Sequence, residues 1–227
     1  MNVMVGGCPR SGTSCITDAL SRCGLDLGQR LSKIRRKSTH QRLATEDPVF
    51  VAANTQVFET ADCDRRRAES FFDSKIQREG VDRVFDDKTD PWVLKDPIGV
   101  SLLYPLWRKV LNERGIKFRA VFVLRHPSSV ISSGSSFFSI RPDRMAKIWW
   151  RTYQSLLTWT TLYPDDFRWV LFPQLLGMET ATLDSPEPIK WRESYNHNFV
   201  RTPIRDLPGK FHQLTRLYEY LENKCVT

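Results

Sequence analysis

The sequence predicts an α/β protein: a three-layer sandwich with a mainly parallel central sheet, a phosphate-type loop (P-loop) and helices on both faces. Three observations lead there. Short apolar runs at 2–6, 92–94, 118–124 and 167–172 alternate with longer amphipathic segments, the order of strand–helix–strand units. The first run leads directly into a glycine-rich turn and then a helix, GGCPRSGTSCITDAL. The chain has 227 residues, 41% hydrophobic and 26% charged, which is enough for one sizeable core and ordinary for a globular protein.

Taken in order, residues 2–6 read as a buried strand and 13–23 as the helix after it, with Thr13 or Ser14 in its first turn and Gly24 at its end. The segment 30–42, RLSKIRRKSTHQR, carries six Lys or Arg and no acid, and reads as a loop or irregular helix. In ATEDPVFVAANTQVF, Asp47 caps a helix and Pro48 takes its first position. Val49, Ala52, Ala53, Gln56 and Val57 are expected to form its inward face. A charged helix is expected over 65–78, packed through Phe71, Phe72 and Ile76.

Trp92-Val93-Leu94 reads as a short strand and 100–112 as a helix closed by Gly115. FRAVFVL, 118–124, has the strongest strand pattern of the chain and breaks at His126-Pro127, after which Ser128 or Ser129 is expected to cap a helix to about 136. Residues 141–162 form a long amphipathic helix with Met145, Ile148, Trp149, Leu156 and Trp159 inward, and 167–172 a further strand. The proline-rich stretch 186–208 is less regular, and a last helix covers about 211–223. No repeat and no linker divides the chain, so a single domain over 1–227 is expected.

Composition narrows the function. The formal net charge of +8 and pI near 9.4 favour anionic partners. Basic and aromatic residues interleave in no regular way, which argues against nucleic acid as the main partner. No apolar run reaches the roughly 18 residues of a membrane span, and the first residues lack the basic and apolar regions of a signal peptide. Cys8, Cys15, Cys23, Cys63 and Cys225 are odd in number and scattered, which suggests reduced thiols in a cytoplasmic protein rather than zinc or a disulfide framework.

The chemistry concentrates in Gly7-Cys8-Pro9-Arg10-Ser11-Gly12-Thr13-Ser14. Its glycine spacing is that of a phosphate-cradling loop, yet Thr13 stands where GxxxxGK[ST] has lysine. Successive backbone N–H groups from Arg10 to Ser14, at the positive end of a helix, make an anion nest. Ser11, Thr13 and Ser14 add hydroxyls and Arg10 a cation. Ligands of open parallel sheets sit beyond the strands' carboxyl ends, where Lys95, Arg125 and the basic run are also expected.

PRSGTS after a first strand resembles the 5′-phosphosulfate loop of the sulfotransferases, which use 3′-phosphoadenosine 5′-phosphosulfate (PAPS). The arginine makes it more similar to the carbohydrate and protein-tyrosine branch than to the small-phenol enzymes. The resemblance implies that Pro9, Arg10, Ser11, Gly12, Thr13 and Ser14 bind the donor, and that with no γ-phosphate to reach, neither the lysine nor a metal is needed. In VFVLRHPSSVISS, Arg125 and Ser133 stand eight apart, the spacing of the family's 3′-phosphate ligands. Arginine offers a phosphate two parallel N–H bonds.

ATEDPVFVAANTQVF is similar to the stretch in which bacterial members carry an acidic residue ahead of a helix, making Glu46 the candidate general base, with Asp18 and Glu59 as alternatives. WVLKDPIGVSLL resembles the KDP segment, where Lys95, together with Arg10, would stabilise charge on the departing oxygen. The family often has arginine where Ile98 stands, and the resemblance fades after about 172. Arg201, Arg205 and Lys210 read as solvated charges, and Trp149 and Trp150 as packing rather than adenine platforms.

The implied reaction moves a sulfuryl group from PAPS to a hydroxyl, leaving 3′-phosphoadenosine 5′-phosphate (PAP). The basic run would suit a carbohydrate acceptor, including an anionic glycan. A small-molecule or nucleotide kinase is the rival enzyme. A non-catalytic nucleotide- or anion-binding module is the rival of another class.

Overall fold

The computed structural model describes residues 1–28, 46–60, 82–86, 88–172 and 212–225. The basic run, the expected helix over 65–78 and the proline-rich stretch lie outside the described residues. Four strands, β1 (Asn2–Gly7), β2 (Val93–Lys95), β3 (Phe118–Arg125) and β4 (Phe167–Phe172), form a sheet in the order β2-β1-β3-β4. All three pairings are parallel, with Val5 opposite Lys95 and Val121, and Arg125 opposite Phe172. The helices are α1 (Thr13–Arg22), α2 (Pro48–Thr60), α3 (Pro97–Glu113), α4 (Pro127–Phe138), α5 (Pro142–Leu162) and α6 (His212–Cys225).

Every side chain of β1 is buried, as expected of a parallel strand covered on both faces. Alternation along the strands sorts the core into two layers. Val3 and Val5, with Val121, Val123 and Val170, face α1 through Ile16, Ala19 and Leu20. Met4, Ala120, Phe122 and Leu124 face the larger layer, built on Tyr104, Trp107, Trp149, Tyr153 and Leu156. Helices therefore cover both faces, as the sequence predicts.

Helix boundaries follow their caps. Asp96 accepts from Gly99 N at 3.1 Å and Pro97 takes the first position, so α3 starts three residues before the expected 100. The expected hydroxyl cap of α4 is corrected: His126 is the N-cap, its ring accepting from Ser128 N, because Pro127 fixes the helix start one residue ahead of the serines. The face expected of α2 is corrected too. Phe50, Asn54 and Val57 are buried, whereas Ala52 and Gln56 are exposed. Phe50 packs 4.7 Å from Trp107 ring to ring, and Asn54 accepts from Trp107 Nε1 at 2.7 Å, so the partner on α3 sets the helix rotation.

Asp47 does cap α2, accepting from Val49 N and Phe50 N. Its other oxygen accepts from Lys88 Nζ at 2.5 Å, and both side chains are almost wholly buried. Breaking a buried pair leaves an uncompensated charge. Asp47→Ala is therefore expected to lower unfolding free energy by about 3–5 kcal/mol in urea titrations, with Asp47→Asn losing less because it keeps the cap. A loss below about 1 kcal/mol in Asp47→Ala would contradict this assignment.

Candidate functional site

The strand order reverses direction at β1: the chain goes to one side for β2 and to the other for β3. Such a switch point opens a crevice beyond the carboxyl ends of the strands. The β1–α1 turn occupies it, with the ends of β2 and β3 on either side, two strand spacings or about 10 Å apart.

The turn depends on left-handed backbone. Gly7, Arg10 and Gly12 have φ of 141°, 74° and 104°. A Cβ on Gly12 would stand 2.7 Å from the Phe172 ring, so both the conformation and the close approach require glycine there. Gly7 N donates to Ser101 Oγ at 2.8 Å, and Ser11 N to Cys8 O at 3.0 Å, tying the turn to α3 and to itself. Gly12 O receives the N–H of Cys15 and Ile16, so the turn ends as α1 begins. Pro9 is partly exposed on the turn, while Ser11 and Thr13 are buried beneath it. Ser11 Oγ has no hydrogen-bond partner of good geometry; the neighbouring Tyr153 hydroxyl gives its own hydrogen to Val123 O at 2.6 Å.

The sequence-predicted cations gather around this turn from separate strands. On the β3 side, Arg125 Nη1 donates to Arg10 O at 3.0 Å, its guanidinium lying over the Phe172 ring at 5.2 Å. Arg10 Nε donates to Ser133 Oγ at 3.2 Å and its guanidinium stacks 4.3 Å over Phe137. Arg10, Arg125 and Ser133 thus form one cluster. On the β2 side, Lys95 Nζ donates to Ser14 Oγ at 3.1 Å, in the first turn of α1, and to Glu46 Oε1 at 2.7 Å. The Lys95 side chain is only 3% exposed and that of Glu46 46%.

The other candidate bases stand apart from this constellation. Asp18 is paired with Arg22 at 3.1 Å along α1, and the Glu59 side chain lies outside the described residues. Asp96 borders the site, but burial pushes its carboxyl up from the usual range, against the bonds from Gly99 N and Asn54. The thiolate is disfavoured at both cysteines here: burial raises Cys8, and burial with Asp18 pushes Cys15 up to about 11. Among the described residues, no three His, Cys, Asp or Glu side chains cluster as metal ligands, and no helix is long and apolar enough to cross a membrane.

Sequence reasoning missed Ser101, Phe137, Phe172 and His126. Ser101 had a signal, one helical turn after Pro97, whose carbonyl takes its hydroxyl at 2.6 Å. The two phenylalanines support arginines from 127 and 47 residues away (137 − 10 and 172 − 125), and nothing local marks them.

No family model and no curated protein matches the chain. Solved structures similar to it include two sulfotransferase domains. The sulfotransferase domain from the Synechococcus PCC 7002 olefin synthase shares 14% identity over 97% of this chain and 94% of that one, with a TM-score of 0.48. The sulfotransferase domain from the curacin biosynthetic pathway shares 13%, over 97% of each chain, with a TM-score of 0.43. Likeness at this distance adds nothing to the geometry of the residues themselves.

His126 gives the site a pH dependence. Burial holds its imidazole below the ordinary value, while Glu222 and Glu219 of α6 pull it up; Tyr218 of α6 packs against the ring at 4.8 Å. The folded state then binds fewer protons than the unfolded one, so stability falls as pH drops below about 6.5 toward the lower folded-state value. Asparagine can accept from Ser128 N but gains no proton in that range. In urea titrations at pH 7.5 and 5.5, His126→Asn is expected to lose less stability on acidification than the wild type. An equal loss would remove His126 from the account.

Proposed function

We propose that this chain is a PAPS-dependent sulfotransferase acting on a hydroxyl acceptor. One observation carries the reading: Lys95 joins the first turn of α1 to Glu46, so that a cation and a carboxylate meet at one end of a lysine-free anion loop. Arg125 and Ser133 stand at the other side, with Arg10 of the loop bonded to both. That is a charge arrangement for a nucleotide with separate 5′ and 3′ anionic groups.

The donor set fits PAPS: guanidinium and ammonium groups, hydroxyls and backbone N–H groups, all of which bind phosphate and sulfate oxygens. In this reading the loop amides, with Arg10, Ser11, Gly12, Thr13 and Ser14, hold the phosphosulfate. Arg125 and Ser133 hold the 3′-phosphate. The donor supplies an activated sulfuryl group. The acceptor oxygen forms a bond to sulfur as the bridging S–O bond breaks, the electron pair leaving on the 5′-phosphate oxygen. Glu46 takes the acceptor's proton, and Lys95 faces the charge that grows on the departing oxygen. The products are a sulfate ester and PAP.

The kinase reading needs a lysine at the loop's end, and Thr13 there carries no positive charge. A carbohydrate or glycoconjugate is the acceptor class that the positive charge favours.

Calorimetry of PAP, ADP and ATP without magnesium tests the proposal. Wild type is expected to bind PAP in the micromolar range and at least about 100-fold more tightly than ADP, since loss of a charge-assisted bidentate contact costs about 2–3 kcal/mol. Arg125→Ala is expected to erase that preference. Equal binding of ADP, or stronger magnesium-dependent binding of ATP, would overturn the sulfotransferase reading. With an acceptor in hand, Glu46→Gln is expected to lower kcat by about 10²–10⁴-fold with the donor's KM not raised.

A further inference from the structure

Lys95 and Glu46 hold each other in the structure, and their burial is unequal. Lys95 Nζ lies at the end of β2, its side chain 3% exposed, between Ser14 Oγ at 3.1 Å and Glu46 Oε1 at 2.7 Å. Glu46 is 46% exposed, immediately ahead of the α2 cap. An anion arriving at the loop competes with Glu46 for the same ammonium group. Two negative groups beside one buried cation repel each other, which weakens its hold on both. The buried lysine has no room to follow an outgoing partner, whereas the half-exposed carboxylate can turn into water at little desolvation cost. Ser14 Oγ, on the first turn of α1, keeps Lys95 directed at the loop after Glu46 has gone.

We infer that Glu46 is a built-in competitor for the donor's anionic end, so that donor binding releases the carboxylate and thereby makes it available as a base. The inference rests on the donor reading above and adds an order of events. While Glu46 is paired with Lys95, Oε1 is committed to an ammonium hydrogen and the carboxylate is held toward the lysine rather than toward an acceptor. The 5′-phosphosulfate takes Lys95, and Glu46 then faces the acceptor. Donor binding precedes a productive acceptor complex. The same coupling opposes attack on an acceptor hydroxyl, or activation of water, before the donor is seated.

This role makes an unusual demand: removing a site residue improves binding. Glu46→Gln and Glu46→Ala, at a half-exposed position, are expected to bind PAP about fivefold more tightly than the wild type, the scale of a partly exposed ion pair. Lys95→Met is expected to weaken PAP binding, and Glu46→Gln in the Lys95→Met background to add no gain. A merely structural Glu46 predicts unchanged or weaker binding in both Glu46 variants. Either result overturns the inference while leaving the donor assignment intact. Wild type that binds no PAP overturns the donor assignment, and this inference with it. Thermal melts of each variant confirm that a loss of binding is not a loss of fold.

Discussion

The turn between β1 and α1 is the constraint on which the rest of the site depends. Its path needs left-handed backbone at three positions, and at Arg10 a residue with a full side chain adopts it. That conformation costs on the order of 1–2 kcal/mol outside glycine and persists only where the surroundings impose it. Here they do. Arg125 binds the Arg10 carbonyl, Ser133 binds its guanidinium, and Phe137 lies beneath it. The strained residue lies in the β1–α1 turn and the residues that hold it come from β3 and α4, so the turn has its shape only when the sheet is assembled. A backbone held this way presents its N–H groups without further reorganisation, which is what electrostatic preorganisation requires.

The proposed anion site draws on charge as well as backbone shape. Arg125 and Lys95 are 8% and 3% exposed, and ionised groups are rarely buried that deeply without a compensating partner. Glu46 compensates one of them, from a half-exposed position that can be vacated. Among the described contacts, Arg125 also meets the Arg10 carbonyl and Lys95 the Ser14 hydroxyl. Strand order does the placing. With β1 central, Lys95 and Arg125 stand on opposite sides of the same loop.

What was legible in the sequence was local. The strand–turn–helix of residues 2–22 announces itself through glycine, proline and hydroxyls, whose backbone requirements act within a few residues. Asp47-Pro48 reads as a helix start for the same reason, and it is one. The second task of Asp47, neutralising Lys88 from 41 residues away, has no local signature. The rotation of α2 was misread because an asparagine, Asn54, sits on its buried side, satisfied by Trp107 and Asp96. The His126 cap was misread because imidazole is not among the favoured capping groups, and two serines stood beside it. In the site, spacing placed Arg125 and Ser133 together, whereas the pairing of Lys95 with Glu46 across 49 residues emerges only from the fold.

The most direct test of the account is a crystal structure of the protein with PAP. The account predicts the 3′-phosphate on Arg125 and Ser133, the 5′-phosphate on the loop amides and Lys95, and Glu46 turned away from Lys95. A nucleotide seated elsewhere, or seated on the loop with its 3′-phosphate away from Arg125, would contradict it.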